Sequence, residues 1–308
     1  MDPKELKAKL GSGLLSFPVT HFDEDLAFAP DPYGAHVAAL AGYPAAALFA
    51  AGGTGEFFSL TPDEVVDVTR VACAAAGPGT PIVMGCGYGS AMAAALASRA
   101  EGAGAAGILL LPHYLIEAGQ AGLAAHVRAV CRATDLGVIV YNRGLCRLTA
   151  NTLEALAEDC PNLIGFKDGT GDIGTVREIA LRLGERLVLV GGMPTHELFA
   201  EAYYAAGVTT YSSAVFNFVP DLAIRFFDAL RAGDRVVTEA ILRDFFVPWA
   251  RIRDAGPGYA VAAVKAGARL QGHGGGSMRP PLTDISAEVE DRLAALIAAQ
   301  DIRAEAAE

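Results

Sequence analysis

The fold is decided by an apolar segment that ends in a lysine and opens into a loop, Leu163-Ile164-Gly165-Phe166-Lys167-Asp168-Gly169-Thr170-Gly171-Asp172. Upstream, a similar segment, Gly137-Val138-Ile139-Val140, ends in Tyr141-Asn142-Arg143. A lysine that closes a buried strand loses water around its charge, which favours the neutral amine that attacks carbonyl carbons. An amine and a phenol at the ends of two parallel strands therefore indicate Schiff-base chemistry.

Short apolar runs of this kind recur along the chain, with helical patterns between them. The alternation predicts βαβ units and a parallel sheet. The candidate strands cover residues 14–19, 45–50, 81–85, 107–111, 137–141, 163–167, 187–191 and 209–212. Eight strand–helix repeats favour a closed (β/α)8 barrel, or TIM barrel, over an open doubly wound sheet. In such a barrel the active site lies at the C-terminal ends of the strands.

The last helix of the predicted barrel starts near Pro220 and ends around Ala232. We therefore assign residues 1–232 to the barrel that carries the active site. Residues 233–308 form a helical extension that packs on the barrel or builds an oligomer interface. Within this extension, residues 272–277 are glycine-rich, but no strand precedes them and no Lys-Ser/Thr pair follows. They are predicted to be a flexible connector and not a phosphate loop.

Composition excludes several classes of function. The formal charge of -11 and the lack of a basic cluster argue against nucleic-acid binding. Although the mean hydropathy is +0.33, no apolar run approaches the roughly 20 residues that span a bilayer. The N-terminus lacks the features of a signal peptide, so we expect a cytoplasmic protein without membrane contact. Five cysteines without C-x-x-C spacing and six histidines without ligand spacing predict neither disulfides nor a metal site.

Four motifs share the order and spacing of a known family: Gly53-Thr54-Gly55-Glu56, Tyr141-Asn142, Gly165-Phe166-Lys167-Asp168, and the spaced set Gly207, Ser212, Asn217 and Pro220. They resemble the class I pyruvate-aldolase-type lyases, the family of dihydrodipicolinate synthase and N-acetylneuraminate lyase. The resemblance covers nearly the whole chain. Each motif alone also has a structural interpretation, such as an ordinary turn for Gly53-Thr54-Gly55 or a core tyrosine for Tyr141.

The resemblance implies a role for individual residues. Lys167 matches the Schiff-base lysine, and Tyr141 matches the tyrosine that relays protons at the imine. Gly53 and Thr54 match the loop that binds the carboxylate of a 2-oxo acid, physically an anion nest. Tyr114 matches a tyrosine that enters the proton relay of a neighbouring subunit, and family members are commonly tetrameric. Further candidate substrate contacts are Gly192, Ser212, Ser213 and Asn217, of which the last three have the alternative of holding loop backbone.

The chain departs from the synthase and neuraminate-lyase pattern after Tyr141-Asn142. Those enzymes usually continue with an apolar residue and a proline, whereas Arg143-Gly144-Leu145-Cys146-Arg147 follows here. An arginine beside the tyrosine can hold a carboxylate through two parallel hydrogen bonds, so we expect a substrate that is acidic at both ends. Two questions stay open: whether Arg143 or Arg147 makes this contact, and whether Arg143 instead pairs with an acid such as Asp168.

This segment resembles the 5-dehydro-4-deoxyglucarate dehydratases of the family. The resemblance implies dehydration and decarboxylation of a small dicarboxylate sugar acid to 2,5-dioxopentanoate, without an organic cofactor or metal, because the imine on Lys167 accepts the electrons. Alternatives within the family are an aldolase that releases pyruvate and a synthase-like condensing enzyme. Outside it, a phosphate-binding isomerase or flavin enzyme requires a glycine-rich cup after strands seven and eight. A non-catalytic sensor on the same scaffold does not require the imine.

Overall fold

The computed structural model describes residues 1–113 and 117–305, with side chains up to residue 300. Eight parallel strands close into a barrel in chain order, with β8 pairing β1. They are β1 (Leu15–Ser16), β2 (Ala47–Ala50), β3 (Ile82–Cys86), β4 (Gly107–Leu110), β5 (Gly137–Asn142), β6 (Leu163–Asp168), β7 (Val188–Gly191) and β8 (Thr210–Ser213). The predicted (β/α)8 barrel is confirmed.

The first strand is much shorter than the predicted range 14–19. It pairs with its neighbours only at Leu15 and Ser16. Pro18 has no N–H to donate to a neighbouring strand. The N–H of Val19 donates instead to the side chain of Asn217, at 3.1 Å.

A helix that the sequence analysis did not predict, α1 (Pro3–Leu10), precedes the first strand. Asp2 caps it through a reciprocal hydrogen-bond pair with Glu5. Its buried Leu6 lies against the base of the barrel, where a Cβ on Gly107 would come within 2.4 Å of a Leu6 methyl carbon. A Cβ on Gly137 would be 3.4 Å from the same carbon, so the two glycines leave room for the leucine.

Each strand is followed by a helix that covers the outside of the barrel, where apolar faces pack against the strands. Thr61 and Glu64 form a capping box at the start of the helix after β2, and Pro62 occupies its first turn. The helices are α2 (Pro30–Ala41), α3 (Pro62–Ala76), α4 (Ser90–Ala100), α5 (Gln120–Cys131), α6 (Ala150–Asp159), α7 (Ile173–Leu183), α8 (Ala200–Ala205) and α9 (Pro220–Ala232). Short 3-10 turns lie at Phe57–Ser59, Glu101–Ala103, His196–Phe199 and Val215–Asn217.

The C-terminal extension shares its apolar core with the barrel. The Trp249 ring packs against Phe218 with centroids 5.2 Å apart, and Phe246 packs against Phe226 at 5.1 Å. The elements of the extension are α10 (Arg235–Ile241), a π-helical turn (Leu242–Phe246), α11 (Val247–Arg253), α12 (Tyr259–Leu270) and α13 (Ala287–Glu305). None of the helices in the described part of the chain has the length and apolarity needed to cross a bilayer.

The glycine-rich segment 272–277 packs closely against the barrel. The N–H of Phe22 donates to the carbonyl of Gly275 at 3.2 Å. A Cβ on Gly276 would lie 1.9 Å from the Phe22 carbonyl oxygen, and Gly276 has a φ of 66°. The prediction of a flexible connector is wrong, because these glycines permit a close backbone approach in a fixed conformation.

Candidate active site

Lys167 projects into the barrel from the end of β6 and is 4% exposed. Its Nζ donates to the hydroxyl of Ser212 on β8 at 2.8 Å. The same nitrogen lies 4.0 Å from the ring centroid of Phe17 and 4.9 Å from that of Tyr141. Burial, helped by the charge of Arg143, lowers the pKa of Lys167 to about 7. A large fraction of this amine is therefore neutral and nucleophilic near neutral pH.

Gly192 makes room for the lysine. A Cβ at this position would lie 2.6 Å from Cε of Lys167. The Gly192 carbonyl accepts a hydrogen bond from the Tyr141 hydroxyl at 2.9 Å, and its N–H donates to the carbonyl of Asp168 at 2.6 Å. Gly192 therefore lies beside the lysine and the tyrosine, and its N–H already has an acceptor within the protein.

Tyr141 and Lys167 are register partners on β5 and β6, which places phenol and amine side by side. Nη1 of Arg143 donates to the Tyr141 hydroxyl at 3.1 Å. Burial raises the pKa of Tyr141, and the guanidinium of Arg143 opposes that rise by stabilising the phenolate. The arrangement keeps the resting phenol protonated and gives it a cation that stabilises its conjugate base.

Arg143 is exposed at the mouth of the barrel. Within residues 1–113 and 117–300 it forms no ion pair with an acidic side chain. Asp168, the proposed alternative partner, accepts hydrogen bonds from Tyr203 at 2.6 Å and from Thr170 at 2.8 Å. Arg147 donates to the carbonyl of Gly144 at 2.8 Å. Of the two arginines, it is Arg143 that adjoins the phenol, whereas Arg147 is exposed and uses only its Nε in this bond.

The predicted anion nest is a tight loop after β2. Its turn is closed by N–H bonds from Glu56 to the Gly53 carbonyl and from Phe57 to the Gly52 carbonyl. The N–H groups of residues 53–55 find no acceptor in the part of the chain that the structure describes. Gly53 is exposed and Thr54 is half-buried, whereas Gly55 is buried, so Gly53 and Thr54 are the residues whose N–H groups a carboxylate can reach.

Phe17 joins this loop to the lysine, and the sequence analysis did not assign it a role in the site. A Cβ on Gly52 would lie 2.3 Å from its ring, and Nζ of Lys167 lies 4.0 Å from the centroid of the same ring. The Phe17 ring also stacks on Phe49 at a centroid distance of 4.6 Å. Phe17 lies two residues before the end of the predicted first strand, and an apolar side chain there carries no polar signal of a role in the site.

Ser213 and Asn217 are placed away from the amine. Successive strand residues point to opposite faces, so Ser212 faces the barrel interior and Ser213 the helical layer. The Ser213 hydroxyl donates to Glu197 at 2.6 Å. Asn217 is fully buried and its amide donates to the carbonyls of Phe17, at 3.0 Å, and Ala214, at 2.9 Å. Both side chains hold the frame of the site in this structure, and Tyr114 lies outside the described residues.

A buried polar layer lies behind the lysine. A Cβ on Gly191 would lie 2.1 Å from the ring of His196, so the glycine leaves room for that ring. Burial lowers the pKa of His196 to about 3 and raises that of Glu197 to about 7. Because Gly191 packs on His196 and Gly192 packs on Lys167, neither glycine forms the open cup that a phosphate-binding barrel requires.

Comparison with known proteins places the chain in a family. The model of the dihydrodipicolinate synthetase family matches residues 11–300. The chain belongs to the dihydrodipicolinate synthetase family. The chain is 61% identical to the "Probable 5-dehydro-4-deoxyglucarate dehydratase" of Cereibacter sphaeroides, and the match covers 96% of this chain and 98% of the relative. The protein of the same name from a Chelativorans species is 58% identical, covering 98% of this chain and 100% of the relative.

Solved structures of the family have the same fold. The dihydrodipicolinate synthase from Bacillus clausii superposes with a TM-score of 0.88 at 23% identity, covering 96% of this chain and 99% of its own. The synthase from Aquifex aeolicus superposes with a TM-score of 0.83 at 25% identity, covering 94% and 98%. At these identities the likeness to Bacillus clausii describes the fold and not the reaction.

Proposed function

We propose that this protein is a Schiff-base-forming lyase that converts 5-dehydro-4-deoxyglucarate into 2,5-dioxopentanoate, carbon dioxide and water. The observation that carries the proposal is the guanidinium of Arg143, which lies 3.1 Å from the hydroxyl of Tyr141 and has no acidic partner within residues 1–113 and 117–300. It gives the site a cation for a second carboxylate, in addition to the N–H groups of Gly53 and Thr54. Relatives at 58% to 61% identity over nearly the full length bear the name of that dehydratase.

The reaction begins with the neutral amine of Lys167 attacking the C5 ketone. Tyr141 gives its proton to the C5 hydroxyl of the resulting carbinolamine, which leaves as water, and a protonated imine forms. The phenolate that remains is stabilised by Arg143. In this pose the loop of Gly53 and Thr54 holds the C6 carboxylate and Arg143 orients the C1 carboxylate.

Dehydration follows from the acidity of C4 next to the protonated imine. The Tyr141 phenolate takes a C4 proton and the electron pair moves to nitrogen as an enamine. The enamine then expels the C3 hydroxyl, which leaves as water with a proton from Tyr141 or from a bound water molecule. The product is an imine conjugated through C4 and C3 to C2.

Decarboxylation uses this conjugated imine as the electron acceptor. The C1–C2 bond breaks, carbon dioxide leaves, and its electron pair passes along the chain to the nitrogen. The enol at C2 becomes the aldehyde as C3 gains a proton, and C4 is protonated in turn. Water then hydrolyses the imine, which releases 2,5-dioxopentanoate and restores Lys167. The lysine adduct carries the electrons throughout, so we propose no metal and no organic cofactor.

Borohydride reduction in the presence of the sugar acid, followed by peptide mass mapping, tests the covalent step. We expect the adduct on the peptide that contains Lys167, and untrapped enzyme should release carbon dioxide without pyruvate. Arg143→Met should raise KM by about tenfold or more, because a charge-assisted pair of hydrogen bonds is lost. Arg147→Met is the matched control and should change KM little. Release of pyruvate would establish the aldolase reaction instead.

We further propose that the enzyme is a cytoplasmic homotetramer in which Tyr114 reaches the proton relay of a neighbouring subunit. This proposal is supported by the family to which the chain belongs. Light scattering gives the mass of the assembly. A mixture of inactive Lys167→Met and Tyr114→Phe subunits tests the relay, because hybrid assemblies would regain activity if the relay crosses between subunits.

A further inference from the structure

A fully buried ion pair joins the C-terminal extension to the carboxylate-binding loop. Nζ of Lys265, on α12, lies 2.7 Å from Oε1 of Glu56, with side-chain exposures of 0% and 1%. The second carboxylate oxygen of Glu56 accepts a hydrogen bond from the N–H of Arg279 at 3.3 Å. Removing two charges from water is costly, and replacing such a pair with apolar residues is often neutral or stabilising. Stability alone is therefore a weak reason for its presence.

Glu56 is the last residue of the loop that presents the N–H groups of Gly53 and Thr54. It has a left-handed backbone, with a φ of 55°, and so does Ala51 at the other end of the loop, with a φ of 49°. Non-glycine residues keep this strained conformation only where their surroundings enforce it. The surroundings of the Glu56 carboxylate are supplied by the extension, through Lys265 and the backbone of Arg279.

The other contacts between the extension and the barrel in this region involve the charged groups of Lys265 and Arg279. Nζ of Lys265 also donates to the Ser277 carbonyl at 3.0 Å and lies 4.2 Å from the Phe22 ring centroid. The guanidinium of Arg279 lies 4.1 Å from the centroid of that ring and donates to the Ser59 carbonyl, which follows the loop, at 2.8 Å. The extension thus fixes both the end of the loop and the turn that leads into α3.

We propose that Lys265 and Glu56 are positioning residues, through which the C-terminal extension sets the loop conformation that recognises the carboxylate of a 2-oxo acid. The inference rests on the proposed function, because it takes the loop of Gly53 and Thr54 as the carboxylate site. It assigns the pair no part in the chemistry of Lys167. Loss of the pair should therefore weaken carboxylate recognition and leave the nucleophilicity of the lysine intact.

Two ketones separate these effects: pyruvate, the smallest 2-oxo acid, and acetone, which has no carboxylate. Borohydride trapping of each, quantified by intact mass over a range of concentrations, gives an apparent affinity for imine formation. In Lys265→Met we expect the apparent affinity for pyruvate to fall about tenfold, as for the loss of charge-assisted hydrogen bonds. Trapping of acetone should be unchanged, because acetone has no carboxylate for the loop to bind and its adduct requires only Lys167.

Arg269→Met is the control, since Arg269 also lies on α12 but pairs at 2.8 Å with the partly exposed Glu290 within the extension. Arg269→Met should change the apparent affinity for neither ketone. Circular dichroism checks folding, and should Lys265→Met fold poorly, the neutral pair Glu56→Gln with Lys265→Met takes its place. That double variant should show the same selective loss for pyruvate.

The outcomes are separable. An unchanged preference for pyruvate in a folded variant, or an equal loss with both ketones, overturns the positioning role and leaves the proposed function standing. If the wild-type protein forms no adduct with either ketone, the proposed function fails, and the positioning role fails with it.

Discussion

Nζ of Lys167 on β6 donates a 2.8 Å hydrogen bond to the hydroxyl of Ser212 on β8. The bond reaches past the intervening strand β7, where Gly192 follows the strand end without a side chain. A hydroxyl that accepts from the amine fixes one N–H direction and leaves the nitrogen lone pair free to point elsewhere. The position of the Lys167 amine, the proposed nucleophile, thus depends on a strand that is not adjacent to its own.

Ser212→Ala should slow imine formation about three- to tenfold, because one hydrogen bond of about 1 kcal/mol no longer orients the amine. Rapid-quench borohydride trapping measures the rate. Ser213→Ala is the matched comparison on the same strand: it leaves buried Glu197 without its 2.6 Å donor. That variant should lose stability in urea denaturation while its trapping rate stays close to that of the wild type. A reversed pattern would contradict the assigned side-chain directions.

Lys167→Met should abolish the adduct and stabilise the fold. Burial lowers the pKa of the lysine from its ordinary value of 10.5 to about 7 in the folded protein. Folding therefore disfavours its charged form, by a few kcal/mol on the scale of about 1.4 kcal/mol per pKa unit. Between these two pKa values the lysine is protonated in the unfolded chain and neutral in the folded protein. The unfolded state therefore binds more protons, and the stability of the wild type rises with pH. The advantage of the variant should be largest below pH 7 and should shrink toward pH 10 in calorimetry.

The rate of imine formation should rise with pH through about 7, because deprotonation of Lys167 generates the nucleophile. Arg143 contributes to the depressed pKa through its charge. Arg143→Met should therefore raise the pKa of Lys167 and move the profile to higher pH. Borohydride trapping of acetone across pH 5 to 10 measures the shift without involving a substrate carboxylate. A profile that moves to lower pH would contradict the electrostatic role of the arginine.

Asn217→Ala should reduce stability by about 2–4 kcal/mol, because buried backbone groups lose their hydrogen-bond partners. The amide bonds the backbone of Phe17, Val19 and Ala214. If the residue also contacts substrate, as the sequence suggested, KM should rise by more than the folded fraction explains. We expect KM within about twofold of the wild type, consistent with the loss of a frame contact alone. Urea denaturation and initial rates on the same preparation distinguish the two.

The strand order of this barrel was predictable because each strand is an apolar run bounded by turn residues. β6 was placed within one residue of its observed end at Asp168. The short β1 was not, since Pro18 interrupts pairing without changing the apolar pattern. Helix α1 also escaped prediction, because its two buried leucines in eight residues are too weak a periodic signal.

The placement of the candidate site residues was predictable where strand ends bring residues together. Tyr141 and Lys167 followed from that rule, since parallel neighbours in register meet at one edge. The partner of Glu56 did not, because a single lysine 209 positions away gives no local pattern. The direction of Ser213 followed from strand alternation only once the register of β8 was known.

Leu6 fills the base of the barrel below Gly107 and Gly137. Because this end of the barrel is closed, we expect substrate and products to reach and leave the amine at the opposite end, where Arg143 is exposed. One opening would then serve for entry of the sugar acid and for release of carbon dioxide, water and the aldehyde product.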